Sequence, residues 1–108
     1  MNNKVFSEDE IYDLLNADHS AYLEGGNSTW SYYAREDYAE QFAKLGDKKS
    51  EFEHQLRIAT KALFGKFEIL DDIKETDFES GEKFDYERRR LQDEIVDAAY
   101  EFLGDYII

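Results

Sequence analysis

The residues to weigh first for chemistry are two histidines, His19 and His54, and a large store of carboxylates. A zinc site on a helix needs two histidines four residues apart, and neither histidine has such a neighbour. The chain has no cysteine, which removes thiolate ligands and disulfides. His19 follows Asp18, a pairing that reads as a surface histidine beside a solvated acid. Asp71 to Glu82 has about the length of a calcium-binding loop. It fails in detail, because Ile73 stands where an oxygen ligand belongs and Thr76 where the sharp turn needs glycine. With 26 acids among 108 residues some carboxylates must lie close together, so a pair of them is weak support for acid–base catalysis. No serine sits in a nucleophile elbow, and Gly25-Gly26 is too short for a phosphate-binding loop. The sequence therefore predicts no metal, no cofactor and no enzymatic activity.

What remains is charge. Thirteen lysines and arginines against 26 acids give a formal net charge of −13. Such a chain repels the phosphates of nucleic acid and the surface of an anionic membrane, so neither is an expected direct partner. A basic protein would be attracted and steered in. Plain solubility is the ordinary alternative reading of the same excess. The charge is uneven along the chain. Glu8 to Asp47 holds ten acids against Arg35 and Lys44, whereas Lys48 to Lys66 holds five bases against two acids, and the chain is acidic again from Glu68 on. Pairing of the basic stretch with its acidic neighbours is the simple expectation, and a homodimer formed through it is the sharper one. Arg88, Arg89 and Arg90 fan around a helix and are expected to pair with Asp85, Glu87, Asp93 and Glu94 one turn away.

The last quarter of the chain concentrates the acids. Glu87, Glu94, Glu101 and Asp105 form one line at helical spacing, and Asp93, Asp97 and Glu101 form another. No base follows Arg90. Glu101 and Asp105 stand at a helix C-terminus, where negative charge is mildly destabilising. Carboxylates three or four residues apart lie about 5–6 Å from each other, comparable to phosphate spacing along a nucleic-acid strand. B-form DNA carries roughly one charge per 1.7 Å of axis, and such lines could occupy a groove built for it. Adjacent Tyr32 and Tyr33 cannot both face a core, and Tyr12, Tyr86 and Tyr100 fall beside or off the apolar stripes. Tyrosine among acids suits an interface to a basic protein. Glu36, Asp37 and Glu40, beside Tyr32 and Tyr33, complete the candidate partner-binding set. In size, charge and helicity the chain resembles phage-encoded inhibitors of restriction and CRISPR systems, some of which act as DNA mimics. That likeness implies a partner such as a nuclease or effector complex. Bacterial immunity proteins and antitoxins that neutralise a nuclease toxin share the profile and give the alternative.

These side chains must be positioned by helices. The apolar residues recur at three- and four-residue steps, and the chain has no proline. The sequence predicts an all-α, single-domain bundle of about four helices, roughly 8–24, 30–45, 48–70 and 82–103. Ser7 with Glu10 forms a capping box for the first, and Gly25-Gly26 stops it. Ser28 or Thr29 caps the second, which carries Trp30, Ala34, Tyr38, Phe42 and Leu45. Asp47 or Ser50 caps the third, with Gly65 an uncertain point and continuity to about Asp72 preferred. Phe84, Leu91, Ile95, Ala98, Phe102 and Tyr106 mark the face of the fourth. The tail after Gly104 folds back or hangs free. With no apolar run at the N-terminus and no stretch of the ~20 apolar residues a membrane span requires, a cytoplasmic protein is expected.

Overall fold

A computed structural model describes residues 3–23 and 36–108. The expected all-α bundle is what these residues form. The helices are α1 (Glu8–Leu23), α2 (Ala39–Leu45), α3 (Lys49–Ala62), α4 (Phe64–Asp72) and α5 (Gly81–Leu103), with 3-10 turns at Gly46–Lys48, Glu75–Asp77 and Gly104–Tyr106. The glycine stop of the first helix, the cap and first residues of the second, and Trp30, Tyr32 and Tyr33 lie outside the described residues.

Local chemistry sets most boundaries. Ser7 Oγ accepts from the Glu10 N–H at 3.2 Å, while Glu10 Oε1 accepts from the Ser7 N–H at 2.9 Å. That is the expected capping box. Gly46 ends α2 with φ 55°, the one positive φ among the described residues and a conformation glycine adopts freely. Neither Asp47 nor Ser50 caps α3. The chain runs from the 3-10 turn straight into α3 with no side-chain cap. Ser80 caps α5 by accepting from the Lys83 N–H at 3.2 Å.

The expected third helix is helical as far as Asp72, but it breaks at Leu63, where φ is −97° and ψ is 8°. The break falls two residues before Gly65. Leu63 is buried, and it still donates to Ala59 O and accepts from the Phe67 N–H, so the bend keeps its hydrogen bonds. It lets Phe67 and Leu70 of α4 reach the same core as Phe52, Leu56 and Ala59 of α3.

α3 packs against both α1 and α5, and α5 also touches α1 and α4. One cluster of buried side chains joins them. In α5 the buried residues are Leu91, Ile95, Val96, Ala99 and Leu103. Ala98 and Phe102 of the expected stripe are only partly buried, so the buried face is turned slightly from the sequence pattern. None of the first ten residues of α5 is buried. The tail folds back. Phe6 N–H donates to Tyr106 O at 3.1 Å, Ile108 N–H donates to Phe6 O at 2.8 Å, and Phe6 pairs with Ile107 in an isolated parallel bridge. Phe6, Tyr106 and Ile107 are all core residues.

Candidate acidic docking surface

A helix turns about 100° per residue, so residues at steps of four from Asp93 share one face. Asp93, Asp97 and Glu101 fall opposite Leu91, Ile95 and Ala99, and all three are exposed. Among the described residues none of the three makes an ion pair. Exposed Asp105 extends the acidic end of the helix. The last turn of α5 contains no base, so the unfavourable interaction of Glu101 and Asp105 with the helix C-terminus is uncompensated there.

The other expected line, Glu87, Glu94, Glu101 and Asp105, is interrupted. Arg90 sits between Glu87 and Glu94. Its Nε donates to Glu87 Oε2 at 3.1 Å, its Nη1 donates to Glu94 Oε1 at 2.7 Å, and its Nη2 also donates to Glu87. The hydrogen bond from Arg90, with its charge, holds the Glu87 carboxyl below the usual range. The arginine cluster therefore pairs only in part as expected. Arg88 lies over the Phe84 ring at 5.8 Å from its centroid. Asp85 and Asp93 take no arginine partner among the described residues. Glu87 and Glu94 are neutralised candidates, whereas Asp93, Asp97 and Glu101 are free to meet a partner.

Hydrogen bonds from α1 extend this surface. Tyr100 Oη donates to Glu8 Oε1 at 2.5 Å across the α5–α1 seam, which pushes the phenol up. On the other side of α1, Tyr38 Oη donates to Asp13 Oδ2 at 3.3 Å and Gln41 Nε2 donates to Glu10 Oε2 at 2.7 Å. Burial, then the negative charge of Asp13, Glu10 and Asp37, pushes the Tyr38 phenol up to about 12. Glu36 and Asp37 precede α2 and Glu40 lies in its first turn, all exposed. Acids thus run from α5 across α1 to α2, with a tyrosine hydroxyl on each seam. Comparisons with protein-family models, curated proteins and solved structures find no match for this chain. The case for this surface is therefore its own geometry. Tyr100 and Tyr38 are the tyrosines that geometry brings among the acids, while candidate Tyr32 and Tyr33 lie outside the described residues.

A second group of ionisable residues is internal. His19 is buried, against the expectation of a surface histidine. Its ring stacks on Phe67 at 4.8 Å and meets Phe64 edge-on at 5.0 Å. Nε2 lies 3.4 Å from Asp71 Oδ2 without hydrogen-bond alignment. Asp18 is buried too, 3.5 Å from Arg57 Nη2 of α3. Burial pushes the Asp18 carboxyl up, opposed by the Thr60 hydroxyl, Arg57, His19 and Lys61. The signal for Asp18 was present in the sequence: it stands three, four and seven residues from Leu15, Leu14 and Ile11, so it shares their face. Arg57 answering Asp18 is one instance of the expected pairing of the basic stretch with its acidic neighbours. Beside this group a cavity of about 350 Å³ is lined by Tyr22, Thr60, Lys61 and Phe64. Among the described residues no group of three His, Asp or Glu side chains is arranged to hold a metal ion. The Asp71–Glu82 segment instead serves chain geometry, with Asp77 Oδ2 accepting from the Lys74 N–H at 3.2 Å. No described helix is long and apolar enough to cross a membrane.

Proposed function

We propose that this chain is an acidic inhibitor that docks on a basic nucleic-acid-binding protein, such as a nuclease or effector complex. It competes there for the groove that would hold nucleic acid. The observation that supports this reading is the exposed row Asp93, Asp97 and Glu101 on the outward face of α5, unpaired among the described residues and ending at Glu101 in the last turn, where the helix dipole disfavours an acid. A rigid helix holds the row at a spacing near that of phosphates, and a net charge of −13 steers it toward a basic target.

The test is displacement of a fluorescent duplex from purified basic DNA-binding nucleases. The native chain displaces the duplex from its target, and the effect weakens steeply as salt rises. The triple substitution Asp93→Lys, Asp97→Lys, Glu101→Lys abolishes displacement while leaving the helical spectrum intact. Equal displacement by the triple variant would refute the role of this row. Blocking of a single nuclease toxin without loss of its DNA binding would point instead to an immunity protein or antitoxin.

A further inference from the structure

The outward face of α5 carries a second pattern. Lys83, Tyr86, Arg90, Asp93, Asp97 and Tyr100 succeed one another by alternating steps of three and four residues, the spacing of a coiled-coil seam. All six are exposed, Tyr86 at 72%. The residues of this seam are basic and aromatic in the first half, acidic and aromatic in the second. We infer that this seam docks a second copy of the chain, with the two α5 helices antiparallel.

The orientation follows from charge. Parallel pairing sets Lys83 against Lys83, Arg90 against Arg90, Asp93 against Asp93 and Asp97 against Asp97, four like-charge contacts. Antiparallel pairing about a two-fold axis between Leu91 and Gln92 sets Arg90 against Asp93 of the second copy, Tyr86 against its Asp97, and Lys83 against its Tyr100. Each contact occurs twice, as a two-fold interface requires. Asp93 and Asp97, which make no ion pair within the described chain, gain a guanidinium and a phenol donor. Arg90 has a third carboxylate to answer besides Glu87 and Glu94, and its planar group has donors for it. The tyrosines supply ring area at the two ends of the seam. None of the first ten residues of α5 is buried within the chain, and in the dimer Lys83, Tyr86 and Arg90 among them are covered. This surface differs from the basic-stretch dimer that charge distribution alone suggests. It also covers Asp93 and Asp97, so self-association and capture of a basic partner compete for one row. The inference does not depend on that partner, and its test uses the chain alone.

The test is sedimentation of the full chain over a wide concentration range, alone and in mixtures. The native chain shows a monomer–dimer equilibrium. Arg90→Asp puts a carboxylate opposite Asp93 of the second copy, and Asp93→Arg puts a guanidinium opposite its Arg90, so each variant alone stays monomeric. Mixed in equal amounts, the two variants are complementary at both contacts and form a heterodimer. Tyr86→Ala, at a side chain outside the core, weakens the native dimer with no change in the helical spectrum. A native chain monomeric at every concentration overturns the inference. So does either charge variant that dimerises like the native chain, or a folded mixture that fails to associate.

Discussion

Replacing Phe6 by alanine tests how the chain closes and holds the first turn of α1, which carries Glu8 and Glu10. Phe6 is fully buried. Its ring stacks on Phe52 at 4.8 Å and meets Phe42 and Tyr38 edge-on at 5.8 and 6.1 Å. Alanine keeps the backbone bonds to Tyr106 and Ile108 and loses only the ring. Truncating a buried phenylalanine to alanine costs about 3–5 kcal/mol, the sum of lost transfer energy and the cavity left behind. A domain of this kind has about 5–15 kcal/mol in all, so the variant is left barely folded at the lower end. With an unfolding entropy of about 2.1 cal/mol/K per residue, the loss lowers Tm by roughly 13–22 °C. Urea unfolding followed by far-ultraviolet circular dichroism reads it as a lower midpoint with an unchanged slope. Phe6→Leu, which fills most of the space, costs less. Removing Ile107 and Ile108 together with Phe6→Ala costs less than the two changes summed, because the two segments stabilise each other. A loss below about 1 kcal/mol for Phe6→Ala would place it among ordinary surface changes and refute the seating of this segment in the core.

Two further outcomes concern pH. The folded Asp18 carboxyl is raised by burial, so its stabilisation is fullest below its unfolded value near 3.8 and is lost as pH rises through the folded value. The stability of Asp18→Asn relative to the native chain therefore rises with pH over that range in denaturant titrations, and a relative fall would show that the ion pair with Arg57 outweighs burial. The Tyr38 phenol, raised to about 12, favours the folded state below the usual value of 10.0 and loses that advantage as pH rises to about 12. Tyr38→Phe thus loses about 1 kcal/mol at neutral pH with its hydrogen bond to Asp13, and the deficit shrinks above pH 10; a constant deficit would contradict the raised phenol.

Periodicity and caps made most of the bundle readable, and the failures have distinct causes. Ser7, Glu10, Gly46 and Ser80 act within a few residues of themselves, so their effect is local and visible in the chain. Phe6 was missed, although an apolar residue just before the cap and Ile11 four positions after the cap form a hydrophobic staple, and both are buried in one core. The break at Leu63 was not legible. No proline or glycine occupies it, and it exists because α3 and α4 bury side chains in the same core. His19 was misjudged because type was weighed above position. Its face of α1 is closed by Phe64 and Phe67, more than forty residues away in the chain, and no local pattern reports that. Among the arginines, spacing alone could not tell that Arg90 would take both Glu87 and Glu94 while Arg88 lay on a ring.

The surplus of acid is not one population. Glu10 spends both oxygens on backbone and Gln41, and Asp77 on the backbone of a turn. Asp18 is buried beside Arg57, and Glu87 and Glu94 are tied by Arg90. Glu8 and Asp13 accept from Tyr100 and Tyr38, contacts that fix where each carboxylate stands. Each of these has a reason within the fold. Asp93, Asp97 and Glu101 have none, and at Glu101, in the last turn of α5, an acid costs about 0.3–1 kcal/mol where lysine would be favourable. Solubility does not require that placement, since acids nearer the N-terminus of α5 would serve it without the penalty. A charge kept at Glu101 where folding disfavours it, on a face that also carries Tyr86, Arg90 and Tyr100, supports the proposal that this face contacts another molecule. The two candidates for that contact, a basic groove and a second copy of α5, make opposite demands on Arg90. Removing its charge frees Glu87 and Glu94 and strengthens binding to a basic groove, but takes from the dimer its central pair.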